Sequence, residues 1–351
     1  MPSETPNKAP VRLPWIDWLK SFGIILVMLG HTEIYGPVKI WIYSFHMPLF
    51  FVISGLLLSP KSIDQSPGNF FRTRIRRNIT LYVISGIIGA FFFGFVSKFS
   101  RSISSPPLES IGYKLLAIAY GSGTINGRLC LFPGVLWFFP ALITGLFFSY
   151  LIIKFSNGPA RVILTVASGI FAALLTNTSL PWEIESGLAA TSLIVLGYQL
   201  AQSPRVLRRI AQLPWPVKLA IFLLGSVLAL QQSKLDFRAS DFGILALSLP
   251  ACMLIILGLM SLCMNAKEFK IIGRIATASV YIFPMHTLLS WVLDSGLRFA
   301  APSHADIWDK SQAWSIIMPA MSLCIFLLTY PVFERLTNII VTKNTATALK
   351  N

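Results

Sequence analysis

Ten stretches of this chain, each about 18 residues or longer, are almost wholly apolar, and that repetition constrains the fold more than any single motif. They run over residues 14–36, 40–59, 78–97, 134–154, 160–178, 184–201, 216–233, 241–264, 275–293 and 314–333. A segment of that length crosses a bilayer as a helix, because lipid offers an open backbone no hydrogen-bond partners. The expected fold is all-α: a polytopic membrane protein built as a bundle of about ten transmembrane helices. Composition agrees, since 54% hydrophobic residues, 12% charged residues and a mean hydropathy of +0.69 exclude an ordinary soluble enzyme.

The net charge of +15 raises the question of nucleic acid, and the placement of the basic residues answers it. With the N-terminus in the cytoplasm, only Lys39, Lys98, Arg101, Lys114, Arg128, Lys234, Arg238, Arg298 and Lys310 fall outside. The other twenty of the 29 Lys and Arg lie inside, so the basic balance reports topology, with both termini cytoplasmic and no nucleic-acid partner. Residues 1–13 and 334–351 read as cytoplasmic tails around one membrane-embedded domain at 14–333. The first apolar segment lacks a small-residue cleavage site and carries Asp17, Lys20 and His31, so it reads as a retained helix. The four cysteines, Cys130, Cys252, Cys263 and Cys324, have no spacing that suggests a disulfide framework, and no metal site is expected.

Within the first span, WIDWLKSFGIILVMLGH from Trp15 to His31, Lys20 and His31 stand eleven residues apart. At about 100° and ~1.5 Å per residue they share one helix face and lie ~16 Å apart along the axis. Asp17 sits near the same stripe, where it can pair with Lys20 while the lysine snorkels to the inner interface. A histidine inside a bilayer needs a polar partner and is a candidate functional group. His46, in FHMPLFFVISG, and His286, in SVYIFPMHTLL, fall at comparable depth in the outer half, where all three can converge on one cavity. The alternative for His46 and His286 is a hydrogen bond between helices beside the kinks at Pro48 and Pro284. His304 falls in an outer loop and reads as solvated. The inner cluster Arg72, Arg74, Arg76 and Arg77 suits either phosphates or lipid headgroups. Trp137 reads as an interfacial anchor or a sugar-stacking ring. Glu183 and Glu185 read as acids that cap a helix, meet water or bind sugar hydroxyls.

The order of these segments closely resembles the membrane acyltransferase family called acyltransferase 3, especially its smaller members related to fucose 4-O-acetylase. The resemblance is carried by WIDWLK with LGH beyond it, FHMPLFFVISG, FFRTRIRRN, LWFFPAL at Leu136 to Leu142, LPWEIE and IGRIATASVYIFPMH, in that order along nearly the whole chain. It implies an O-acyltransferase of the cell inner membrane, most simply an O-acetyltransferase. Such an enzyme takes acetyl from cytoplasmic acetyl-CoA and places it on a hydroxyl of a cell-surface or exported polysaccharide, or of its lipid-linked precursor. No bound cofactor is implied; acetyl-CoA is a donor substrate, and the partners are acyl-CoA, the saccharide and the bilayer. The resemblance makes His31 the catalytic histidine, with Lys20 and His46 beside it. It places Lys20 where many members carry an arginine. Arg72, Arg74, Arg76 and Arg77 become donor-binding candidates, and Asp17, Trp137, Glu185 and His286 acceptor or supporting ones. A transporter or export component for a polysaccharide or lipid-linked sugar is the competing expectation, since intramembrane histidines also serve proton relays. The scarcity of acids away from span ends weighs against it.

Overall fold

The structure is a computed structural model that describes residues 13–96, 111–122, 124–125, 128–129, 134–175, 178–231, 236–237, 241–300 and 311–348. Cys130 and His304 lie outside the described residues. Each of the ten apolar segments contains helix. The helices are α1 (Pro14–Gly30), α2 (Gly36–Tyr43), α3 (His46–Leu56), α4 (Arg76–Val96), α5 (Ile111–Tyr120), α6 (Phe138–Phe155) and α7 (Gly158–Leu174). They continue as α8 (Ile184–Ala201), α9 (Pro204–Gln212), α10 (Trp215–Ala229), α11 (Leu245–Cys263), α12 (Lys270–Ala300) and α13 (Gln312–Ala348). Among the described residues, extended pairing is limited to Thr124–Ile125 against Arg128–Leu129 and a single bridge between Asp236 and Asp241.

Among the described residues, six helical stretches are long and apolar enough to cross a membrane, or seven if the pair Pro204–Gln212 and Trp215–Ala229, bent by 100°, is one span. The helices at Ile111–Tyr120, Gly158–Leu174 and Leu247–Cys263 are apolar but shorter, and α1 has 17 residues. Length and composition thus support six or seven of the ten predicted crossings. α13 also continues as helix well beyond residue 333, where the sequence suggested a tail.

Local chemistry explains the breaks that shape the site. α1 starts with Pro14 in its first turn and Asp17 near the positive end of its dipole, and it stops at Gly30. His31 is its C-cap, with φ −92° and ψ 10°. The second predicted span is broken between α2 and α3 at Ser44 and Phe45. Pro48 lacks an N–H and its ring clashes with the carbonyl four residues earlier, which is that of Ser44. Hence α3 begins anew at His46.

α1 packs against α12 and α3, and α8 packs against α3, α6 and α7. Ser21 Oγ ties α1 to α12 by donating to the Ile272 carbonyl at 2.8 Å. The α3–α8 crossing is a backbone-to-backbone contact. A Cβ on Gly55 would lie 2.0 Å from the Ile194 oxygen, and one on Gly197 would lie 2.2 Å from the Val52 oxygen. Such small-residue approach is how helices associate where lipid removes the hydrophobic drive. Gly55→Ala is expected to push α3 from α8 and cost about 1–3 kcal/mol, read as a lowered midpoint of thermal unfolding in detergent.

Candidate active site

The three histidines of the predicted spans meet at one end of the helix bundle. The His31 and His286 rings have centroids 5.2 Å apart, and Tyr43 lies 6.3 Å from His31 and 4.9 Å from His46. His46 and His286 are buried, whereas His31, on the turn after α1, is exposed. That turn is pinned on both sides. Thr32 donates to the Leu29 carbonyl at 2.7 Å, Lys39 Nζ to the Thr32 carbonyl at 2.9 Å, and Gln312 accepts from the Tyr35 N–H at 2.7 Å. Gly30 lets Tyr43 come close, because a Cβ there would sit 3.2 Å from the tyrosine ring.

Backbone carbonyls fix the tautomers of the two buried rings. His46 Nδ1 lies 2.7 Å from the Ile42 oxygen, and His286 Nδ1 lies 2.8 Å from the Phe283 oxygen and 3.2 Å from that of Ile282. A carbonyl only accepts, so each Nδ1 carries a hydrogen, and in the neutral ring each Nε2 keeps a lone pair. Both partners lie in the histidine's own chain segment, three or four residues back, rather than on a neighbouring helix as the prolines had suggested. His286 Nε2 and Thr287 Oγ1 are buried with no hydrogen-bond partner among the described residues. An unpaired buried acceptor is costly, which marks a place where a proton or substrate group belongs.

Toward the other end of α1, a cavity of about 330 Å³ is lined by Lys20, Arg74 and Arg77, with Thr73, Asn78 and Ser279. Arg74 lies on a π-turn, Phe71–Ile75, and Arg77 just after it at the start of α4. Arg74 donates to Ser62 Oγ at 2.5 Å, and the Arg77 guanidinium lies 5.9 Å from the Tyr281 ring centroid. The segment before them is clamped to α6 by the Phe70–Tyr150 stack at 4.4 Å and by Tyr150 Oη donating to the Gln65 carbonyl at 2.8 Å. Three cations around one cavity favour a polyanion such as a phosphorylated donor.

Lys20 lines this cavity and His31 belongs to the histidine end, as their shared stripe anticipated. Arg74 and Arg77 line the cavity wall; Arg72 and Arg76 do not. Asp17 is half-buried one turn before Lys20. Trp137 is not an exposed interfacial ring: it is buried, edge-on to Phe138 at 6.4 Å between centroids. Glu183 and Glu185 are also not solvated, being 0% and 1% exposed. Glu185 accepts from the Leu180 N–H at 3.2 Å, and Glu183 accepts from Ser186 Oγ at 2.9 Å. Trp182 and Glu183 both have positive φ, 57° and 51°, a conformation disfavoured for bulky residues, so this turn stores strain at the start of α8.

Sequence reasoning missed Tyr43, which bridges two histidines, and the phenylalanines of the cavity wall. Tyr43 carried a usable signal, standing three residues before His46 in the same apolar segment. The wall did not, because a phenylalanine in an apolar helix reads equally as lipid-facing.

A cationic cavity and a histidine cluster on the same helices match the needs of a transferase with an anionic donor. Comparison with known families agrees: the model of the acyltransferase 3 family, described as an acyltransferase domain, matches residues 13–334. No curated protein and no solved structure matches the chain. The match covers nearly the whole sequence, from the start of α1 into α13. This chain, a multi-pass membrane protein, belongs to the acyltransferase 3 family.

Proposed function

We propose that this protein is an O-acetyltransferase of the cell inner membrane. In this reading it moves acetyl from cytoplasmic acetyl-CoA to a hydroxyl of a cell-surface or exported polysaccharide, or of its lipid-linked precursor. The chain then crosses ten times with both termini cytoplasmic, residues 1–13 and 334–351 as tails and 14–333 as the membrane domain. The observation that carries the proposal is the arrangement along α1, with a cationic cavity at Lys20 and a histidine cluster at His31, ~16 Å further along the helix.

Lys20, Arg74 and Arg77 hold the donor's phosphates, and its thioester extends toward the histidines. His31 accepts the proton of the acceptor hydroxyl as that oxygen attacks the thioester carbonyl. The C–S bond then breaks, the acyl–oxygen bond is complete, and the thiolate leaves to take the proton back from His31. The His286 ring stands 5.2 Å from that of His31, and its Nε2 has no hydrogen-bond partner among the described residues, so that lone pair is available to take an N–H from the imidazole of His31 during the reaction. That contact leaves the lone pair of His31 on its other ring nitrogen for the acceptor hydroxyl. His46, held one hydrogen bond from the kink, supports Tyr43 against the same site. Exposure of His31 suits a bulky acceptor arriving from outside the bundle.

A proton-coupled transporter calls for acids along its path. The buried acids Glu183 and Glu185 instead accept local bonds at the start of α8. Deleting the gene and analysing the envelope polysaccharide by NMR tests the two readings together. Polysaccharide that reaches the surface without ester-linked acetyl supports the transferase; polysaccharide that fails to reach the surface supports the transporter.

A further inference from the structure

Three helices repeat one order of side chains between the two ends of the site. α3 places Phe50 one turn from His46, α12 places Phe283 one turn from His286, and α1 places Gly23 between Lys20 and His31. Phe50 and Phe283, with Phe138 of α6, line the same cavity as Lys20, Arg74 and Arg77. The three rings touch: Phe138 and Phe283 have centroids 4.6 Å apart, and Phe50 lies 6.2 and 6.4 Å from them. Phe283 also meets His286, at 6.2 Å. Gly23 backs the layer, since a Cβ there would sit 3.0 Å from the Phe50 ring. A phenyl layer one helical turn thick thus stands between the cations and the histidines.

We propose that Phe50, Phe138 and Phe283 set the acyl-chain length that the enzyme accepts. The inference rests on the acyl-CoA donor proposed above. The acyl group is the leading end of the donor, so it crosses this layer first. Every further methylene must pass among these packed rings before the carbonyl reaches His31. An apolar wall discriminates by volume, about 10- to 200-fold for a single methylene. The layer therefore admits acetyl and rejects longer chains.

The test uses the full-length protein in inverted membrane vesicles with the envelope polysaccharide of its host. Radiolabelled acetyl-CoA or butyryl-CoA is supplied to the cytoplasmic face, and label released from the polysaccharide by mild alkali is counted. The wild type is expected to use acetyl-CoA and to discriminate against butyryl-CoA. Phe283→Leu and Phe138→Leu, which shorten the wall yet keep it apolar, are expected to raise the butyryl-to-acetyl ratio about tenfold or more. Gly23→Ala, which favours the helix and crowds Phe50, is expected to lower transfer of both, butyryl more than acetyl. Retained acetyl transfer with an unchanged ratio in both leucine variants overturns the length rule alone. Loss of acetyl transfer in both, with normal insertion, also overturns it, because the rings would then serve the chemistry itself. A wild type that transfers neither label overturns the donor assignment, and the length rule with it.

Discussion

His31→Ala is expected to lower ester formation by about 10²- to 10⁴-fold, the usual contribution of a positioned general base, with the protein still inserted and folded. The size reflects the fixed tautomers around it. His46 and His286 are buried and each is held by Nδ1 on a backbone carbonyl, so neither ring can swing out to replace His31 at an acceptor that arrives from outside the bundle. His31 is exposed at the end of α1, and its removal leaves no packed core behind. Added imidazole is therefore expected to restore part of the rate of His31→Ala. The check is a rate of alkali-labile acetyl incorporation beside a thermal unfolding curve: a fall in rate with unchanged unfolding fits a base, and a parallel fall in both does not.

Arg74→Gln and Lys20→Met are each expected to raise the KM for acetyl-CoA roughly tenfold to a hundredfold, with a smaller change in kcat. Each removes a charge-assisted contact worth about 1.5–3 kcal/mol, equally in ground and transition states. Arg72→Gln is expected to change KM by less than about threefold, since Arg72 is exposed and does not line the cavity, and an exposed charge contributes ~1 kcal/mol or less. Lys20→Arg separates charge from geometry. A lysine contacts a phosphate as a point charge, whereas arginine offers a planar fork, so retention of KM in this variant assigns Lys20 an electrostatic role. Titrating KM against salt checks the same point, because the dependence weakens when a phosphate contact is lost.

Much of this is legible in the amino-acid sequence. The helices, the shared face of Lys20 and His31, and the convergence of three histidines come from apolar runs and helical period. The break before His46 is written in Pro48, whose missing N–H removes a helical bond. The choice among four arginines is not legible. The π-turn at Phe71–Ile75 adds a residue to the turn and rotates the start of α4, bringing Arg74 and Arg77 to the cavity and leaving Arg72 outside. The burial of Glu183 and Glu185 is hidden as well, since it depends on a left-handed turn at Trp182 and Glu183 that propensity does not anticipate. The number of crossings is not fixed by the apolar runs, because α1, α7 and the apolar helix at Leu247–Cys263 are short, and apolarity in a sequence does not separate a helix facing lipid from one buried in the bundle.

The most direct measurement places the purified full-length protein in proteoliposomes with acetyl-CoA carrying an isotopic label in its acetyl group, and with envelope polysaccharide from a strain lacking the gene. One labelled O-acetyl ester on the polysaccharide, seen by NMR, is expected for each free thiol released. His31→Ala is expected to form both about 10²-fold more slowly or slower still. Label transfer by His31→Ala at the wild-type rate would contradict a catalytic role for this histidine.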